Sequence, residues 1–341
     1  MPDASSGKLR AVVPARPKFR NGAPEVSVVI PTRNRAHFLP ATISSALAAA
    51  AKVEVIVVDD ASTDLTEEVC RGFGQVTYIR MPQRVGTSEA RNVGIRESRC
   101  EYVAFLDDDD LRLAGSIDRQ LPLLKHAPRS ALVCGRAFWG DHRFSLPTGT
   151  VIPAVAYSGD VFWPLLDGNF IQMPTVVARK QALLDCGLFD AELDMLEDYD
   201  LWVRMAQSHS VEFLDEPVAV VRKRSDDSGQ KTSNRSILER QHKALHKGWL
   251  NLPRAREAPP SERRRVHRRH MRMIYNSLIS DAATALLDGN VAAARSHLHA
   301  AVRLSPSNPK GHGSLIWLHL RKHTLHYGDR LKRSALAGRL A

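Results

Sequence analysis

Four short, mainly apolar runs, separated by stretches of helical character, constrain this chain more than any other feature. They are VSVVI (Val26–Ile30), VEVIVV (Val53–Val58), VTYIR (Val76–Arg80) and EYVAFL (Glu101–Leu106). Between them lie FLPATISSALAAA, STDLTEEVCRGFG and the segment Ser88–Ser98, each long enough for a helix. Strands that alternate with such helices imply βαβ units. The runs are continuously apolar rather than alternating, as strands buried on both faces are. The fold class predicted is α/β, a mainly parallel sheet flanked by helices.

Ser62 or Thr63 is expected to cap the second helix, and Gly72 or Gly74 to stop it. Beyond Asp110 the pattern predicts a helix over Gly115–His126, a strand over Ala131–Cys134 and an irregular stretch over 136–175. A short helix over Arg179–Gly187, a longer one over Glu197–His209 and a last strand over Val218–Val221 follow. Leu201, Trp202 and Met205 recur at helical spacing, which places Trp202 in the core. Residues 1–24 are rich in Pro and basic residues and read as a loose arm. They hold no apolar run of the signal-peptide kind. No run reaches the roughly 18 apolar residues that a membrane span needs.

The net charge of +11 is unevenly placed. Residues 1–233 hold 27 basic and 31 acidic side chains, whereas residues 234–341 hold 21 and 6. The positive excess therefore belongs to a separate region, and the division expected is an arm over 1–24, an α/β domain over 25–233 and a basic α-helical extension over 234–341. Helices are expected over Ser261–Asp288, stopped by Gly289, over Val291–Leu304 and over Ser314–His326. LLDGNVAAARSHLHAAVRLSPSNP resembles one unit of a tetratricopeptide-type hairpin. A single unit does not bury its own face, so it must pack on the α/β domain, a partner or a membrane surface. The densest basic run, Arg263–Met273, has no zinc-finger spacing and no RNP-type aromatic pattern, so no nucleic acid is expected. Ser314–Arg333 mixes Leu, Ile and Trp with Lys and Arg, as interfacial helices do. Its partner is expected to be the anionic cytoplasmic face of a membrane, against the alternative of a helix packed on the domain with a solvated basic face. Cys70, Cys100, Cys134 and Cys186 are far apart, which gives neither a metal-ligand spacing nor a disulfide framework and fits the reducing cytoplasm.

Ligands of an open parallel sheet bind at the carboxyl ends of its strands. Polar clusters stand at three of those ends: PTRNR (Pro31–Arg35), DDASTD (Asp59–Asp64) and DDDD (Asp107–Asp110). One acidic turn after a strand is usually a solvated loop. Three polar ends on one edge point to a site. Four adjoining carboxylates repel one another at pH 7, and a divalent cation turns that repulsion into binding. Mg²⁺ or Mn²⁺ takes one or two carboxylates together with oxygens of a substrate diphosphate. Arg91, near the start of a helix, is placed to contact a diphosphate, as is the helix N-terminus. The alternative for Arg91 is a pair with an acidic neighbour.

The ordered set VSVVIPTRNR, EVIVVDDASTD, GTSEARNVGI, EYVAFLDDDD and EDYDLWVRM resembles the family 2 glycosyltransferases, whose fold is of the GT-A type. The match covers about residues 25 to 225. The resemblance implies a metal-dependent inverting transfer from a nucleotide sugar, UDP-linked, to a saccharide or lipid-linked saccharide. It also implies a place in capsule, exopolysaccharide or lipopolysaccharide synthesis on the cytoplasmic face of the membrane. Pro31 and Arg33 take positions at the nucleotide pocket. Asp60 resembles the residue that bonds the uracil base, with Asp59 beside it in a structural role. Arg91 resembles the arginine that holds the nucleotide. Asp107 and Asp109 resemble the D-x-D motif, with Asp109 on the metal and Asp108 toward the ribose.

The same resemblance makes Asp198 the catalytic base and Glu197 its support or an acceptor contact. Their alternative is an acidic first turn that complements the helix dipole. Asp200 is read as such a structural residue. Relatives often carry yRxH after the last strand. Here the segment is VRKRSDD, with Arg222 in place and Arg224 at the position of that histidine. The loop Arg222–Asn234 is expected to close over the donor diphosphate. Gly168–Val177 is expected to form part of the acceptor wall, where Gln172 and Asn169 bond sugar hydroxyls or satisfy loop backbone.

Three rival readings are weaker. A sugar-phosphate nucleotidyltransferase opens with a Gly-rich loop after strand one, and IPTRNRAHF has no glycine. A dinucleotide oxidoreductase needs a G-x-G-x-x-G in that turn, and it is missing. A non-catalytic scaffold would not need the intact set Asp107, Asp109 and Asp198.

Overall fold

The structure, a computed structural model, describes residues 23–140, 150–193, 195–222 and 234–304. It divides into two compact units, 1–229 and 230–341. Arg224, the helix expected over 314–326 and nearly all of the N-terminal arm lie outside the described residues.

The first unit begins with the alternation read from the sequence. It runs β1 (Val26–Thr32), α1 (Leu39–Ala48), β2 (Val53–Asp59), α2 (Thr66–Arg71), β3 (Val76–Arg80), α3 (Thr87–Glu97) and β4 (Tyr102–Phe105). There follow β5 (Leu111–Arg112), α4 (Ser116–His126), β6 (Ser130–Gly140), β7 (Val151–Ile152) and α5 (Phe162–Asp167). The unit ends with β8 (Val177–Arg179), α6 (Lys180–Asp185), α7 (Glu197–Met205) and β9 (Ser210–Arg222). These strands form one sheet of order β3-β2-β1-β4-β8-β6-β9-β5, with β7 on β6. β1 pairs in parallel with β2 and β4, β2 with β3, and β6 with β9. β8 lies antiparallel between β4 and β6. The carboxyl ends of β1, β2 and β4 therefore share one edge.

Both faces of that parallel half are covered, which explains its unbroken apolar strands. Val28 and Ile30 of β1, with Val55 and Val57 of β2, pack with Leu39, Ile43 and Ala46 of α1. Ile56 and Val58 of β2 look the other way and pack with Ile79 and Ala90. α3 approaches β1 closely: a Cβ on Gly94 would lie 2.3 Å from Val29 Cγ1. Gly94→Ala is therefore expected to lower stability by about 1–3 kcal/mol, the scale of overpacking in a tight core. The denaturant midpoint should fall at an unchanged m-value.

Four expectations need correction. Neither Ser62 nor Thr63 caps α2: the Ser62 hydroxyl accepts the Asn34 N–H instead, and Asp64 holds the Thr66 N–H at 3.1 Å. The stretch 136–175 is not irregular throughout. β6 runs on to Gly140, and β7 and α5 lie within the stretch. The last strand is not the four residues Val218–Val221 but the thirteen of β9. Its polar first half hides it from a search for apolar runs, and pairing with β6 recruits it, through register shifts near Gly135. There a Cβ would meet Val218 at 2.9 Å. α7 stops at Met205, short of His209.

In the second unit, α8 (Asn234–Lys247), α9 (Pro253–Glu257), α10 (Pro260–Leu287) and α11 (Val291–Leu304) are helical. Gly289, at φ +76°, makes the turn between α10 and α11. Ile274, Tyr275, Leu278 and Ala282 pack with Leu298 and Ala301 in that hairpin. No helix among the described residues is long and apolar enough to cross a membrane.

Candidate active site

The end of β2 is fixed by its first acid. Asp59 is buried and accepts from Tyr78 Oη at 2.5 Å, Arg80 Nη1 at 2.9 Å and the Ser62 N–H at 2.8 Å. Asp60 turns to the loop that opens α3, where it accepts the N–H groups of Val85 at 2.5 Å and Gly86 at 3.0 Å. Pro31 is buried within β1, and Arg33 is exposed on the turn after it.

Behind β4 the four acids are held by three arginines. Arg91 Nη2 donates to Asp107 Oδ1 at 2.7 Å. Asp108 accepts Thr32 Oγ1 at 2.8 Å and Arg35 Nη1 at 3.2 Å. Asp109 Oδ2 accepts Arg35 Nη1 and Arg222 Nη2, each at 2.6 Å. Asp110 accepts the Arg222 N–H at 2.8 Å. Burial pushes the Asp108 carboxyl up to about 6, with Asp109 adding to the effect and Arg35 opposing it. Asp107 is the open member, its side chain 30% exposed against 5% for Asp109.

Arg91 is the hinge of the arrangement. Its Nη1 donates to Glu197 Oε1 at 2.8 Å, so one buried guanidinium joins the acidic run to the first turn of α7. Phe189 lies 5.5 Å from Arg91 Cζ and packs edge-on against Phe105 and Trp202. Trp202 is thus in the core, as its spacing predicts, and it supports the ring beneath Arg91. Asn92 exchanges hydrogen bonds with the Phe189 backbone and so clamps α3 to that segment.

Leu196 precedes α7 at φ +67°, a left-handed conformation that a bulky residue adopts only when its surroundings enforce it. Asp198 follows, and its Oδ1 accepts the Tyr199 N–H at 2.7 Å. The Tyr199 hydroxyl donates to the Leu165 carbonyl and ties α7 to α5. Burial pushes Asp198 up to about 7; Glu197 adds to this, and Arg91 opposes it. Asp200 pairs with Arg204 at 2.7 Å, the structural role expected of it.

Asn169 satisfies loop backbone by accepting the Ile171 N–H at 3.0 Å. Gln172 takes part through its backbone carbonyl, which accepts Thr175 N–H at 2.9 Å, while its side chain is half-buried. Arg112 and Gln120, which sequence reasoning missed, brace the same segment through the Val176 and Thr175 carbonyls. Arg35 was missed as well, although PTRNR displays it. Arg222, read as part of a closing loop, instead ends β9 against the acidic run.

A metal ion would find partial ligation here. Among the described residues no group of three or more His, Cys, Asp or Glu is arranged to hold one by itself. The donor set fits a cation shared with a ligand, because Asp107 bonds Arg91 through Oδ1 and is open on its other side.

Comparison with known proteins gives the family and the fold. Residues 27–183 match the family model for glycosyl transferase family 2. An uncharacterized glycosyltransferase of Rickettsia typhi is 30% identical over 239 residues, 67% of this chain and 72% of that one. The succinoglycan biosynthesis protein ExoU of Rhizobium meliloti is 27% identical over 275 residues, 74% of this chain and 76% of that one. The chain spans 61% of a Rickettsia prowazekii relative and 33% of a Rickettsia conorii one. Among solved structures, S. aureus TarS 1–349 in complex with UDP-GlcNAc superposes with a TM-score of 0.56 at 16% identity, covering 89% of this chain and 93% of that one. The mannosyltransferase PcManGT from Pyrobaculum calidifontis, in complex with GDP-Man and Mn²⁺, gives 0.55 at 17%, covering 97% and 88%. At those identities the likeness is one of fold, the GT-A type. The Rickettsia typhi match, at 30% over most of that protein's length, reaches past the fold, and this chain belongs to glycosyl transferase family 2.

Proposed function

We propose that this protein transfers a sugar, with inversion, from a UDP-linked donor to a hydroxyl of a saccharide or lipid-linked saccharide acceptor in cell-surface polysaccharide synthesis. One observation carries the reading: Arg91 bridges Asp107 and Glu197, so the donor-side acids and the helix that carries Asp198 meet at one guanidinium. The structural relatives solved with UDP-GlcNAc and with GDP-Man support a nucleotide-sugar donor. The ExoU relative supports polysaccharide synthesis.

In this reading Asp198 accepts the proton of the attacking hydroxyl as that oxygen bonds the anomeric carbon. The bond from that carbon to the diphosphate breaks, and the nucleoside diphosphate leaves. A base that titrates near 7 is suited to this step at neutral pH. Glu197 holds Arg91, and Arg91 positions the diphosphate. Pro31, Arg33 and Asp60 border the nucleoside, with Asp108 toward the ribose; carboxylate oxygens that already accept one hydrogen bond keep further acceptor capacity. Asp107 and Asp109 would hold Mg²⁺ or Mn²⁺. Such a cation supplies charge neutralisation for the departing diphosphate. Gln172 is assigned to the acceptor, and Arg222, with Arg224 beyond the described residues, to the diphosphate. The basic second unit attaches peripherally to an anionic membrane surface, through exposed residues such as Arg264, Arg268 and Arg272 at one-turn spacing on α10.

A thermal-shift titration tests this. UDP, GDP, dTDP and CMP are each added with Mn²⁺ or with EDTA. A ligand at one hundred times its Kd adds about 2.7 kcal/mol to the stability of the native state. A shift with UDP that requires Mn²⁺ is the expected result, and no shift with any nucleotide would overturn the reading.

A further inference from the structure

Asp109 Oδ2 is shared by two guanidiniums, Arg35 and Arg222, each at 2.6 Å. Two like charges on one oxygen depend on that carboxylate to stay together. The four carboxylates of the run and Glu197 outnumber the three arginines that meet them, so the cluster keeps an excess of negative charge. A divalent cation added to the same acids offsets that excess.

The two arginines are not held alike. Arg222 is 9% exposed, its Cζ lies 4.2 Å from the centroid of Phe38, and its backbone N–H is fixed on Asp110. Its Nε is buried and has no hydrogen-bond partner among the described residues. Arg35 is 31% exposed, stands on the turn after β1 and engages the acids through Nη1. Arg35 is the less enclosed of the two.

We propose that Arg35 is an exchangeable counter-ion: it neutralises Asp108 and Asp109 until a divalent cation binds, then leaves them and donates to the donor's diphosphate. Arg222 stays stacked on Phe38 and marks the other side of the same diphosphate. The inference rests on the reading of this edge as a nucleotide-sugar and divalent-cation site. It makes Arg35 a competitor of the metal and a partner of the nucleotide, so its removal must act on the two in opposite directions.

The test uses the full chain and two probes: Mn²⁺ alone, followed by the free-ion electron paramagnetic resonance signal, and UDP at saturating Mn²⁺, followed by calorimetry. Arg35→Ala, or Arg35→Gln where alanine disturbs the turn, should bind Mn²⁺ alone roughly fivefold more tightly and UDP roughly fivefold more weakly, the scale of one partly exposed charge contact. Arg35→Lys should fall between. Arg71→Ala removes the same charge from an exposed pair on α2 and should change neither. Mn²⁺ affinity that is unchanged or weakened in the Arg35 variants, or UDP affinity that is unchanged, would overturn the exchange while leaving the site reading in place. A wild-type chain that binds neither Mn²⁺ alone nor UDP at saturating Mn²⁺ would overturn both.

Discussion

Asp198→Asn should lose transfer by about a thousandfold, the scale of a general base, while UDP binding stays within a factor of about two. The same substitution should make the protein more stable, and the sign follows from linkage. The Asp198 carboxyl is pushed from the ordinary carboxylate range up to about 7 in the folded protein. Between about pH 4 and 7 the native state therefore holds a proton that the unfolded chain has released. Stability falls as pH rises through that window and levels off above it. Asparagine carries no such charge, so the variant should gain on the wild type across the window, reaching about 2–4 kcal/mol at pH 8 for a shift of about three units. Wild-type kcat should fall as pH drops below about 7, because the base must be ionised. Initial rates of UDP release, calorimetric titration with UDP and urea unfolding, each at pH 5 and pH 8, measure these effects. An active Asp198→Asn variant would move the base to another residue. An inactive variant with no stability gain would mean that Asp198 is not held as a high-pKa acid.

The parallel half of the sheet was legible because its physics is local. Strands buried on both faces are mostly apolar, and β1, β2 and β4 are buried along almost their whole length, whereas β3, at the end of the sheet, alternates. α10 and α11 were legible through periodicity and the glycine between them. β9 was not, because its first half has alternating and charged residues, SVEFLDEP, and becomes a strand through its pairing with β6. The site shows the same division. Asp107 to Asp110 and Asp198 were visible as unusual acids at strand and helix ends. Which cation meets which acid was not, because the pairs join residues far apart in sequence: Arg35 to Asp109, Arg91 to Glu197, Arg222 to Asp109. The acidic run needed a counter-charge on electrostatic grounds alone. The sequence suggested a metal, and the fold brings three arginines of its own. These are compatible if the cation displaces Arg35 alone.

Arg91→Met should have the second large effect, because it removes the cation that joins Asp107 to Glu197 and faces Asp198. Arg91 is buried, and Asp107 and Glu197 lie 2.7 and 2.8 Å from it. Breaking a buried pair from one side costs about 3–5 kcal/mol. Side chains of the partners that are 30% and 21% exposed bring the expectation to the lower end of that range. The more telling result is in the pH profile. Arg91 opposes the upward push on Asp198, so its loss should carry the acidic limb of kcat above 7. Glu197→Gln removes a neighbour that pushes Asp198 up, so it should carry the limb below 7. Arg91→Lys keeps the charge but not the fork that reaches both acids at once, and should restore part of the stability and only part of the limb. A merely structural Arg91 would lower stability and leave the limb where it is. Limbs that move in opposite directions in the Arg91 and Glu197 variants would show that one guanidinium sets both the geometry of the site and the proton affinity of its base.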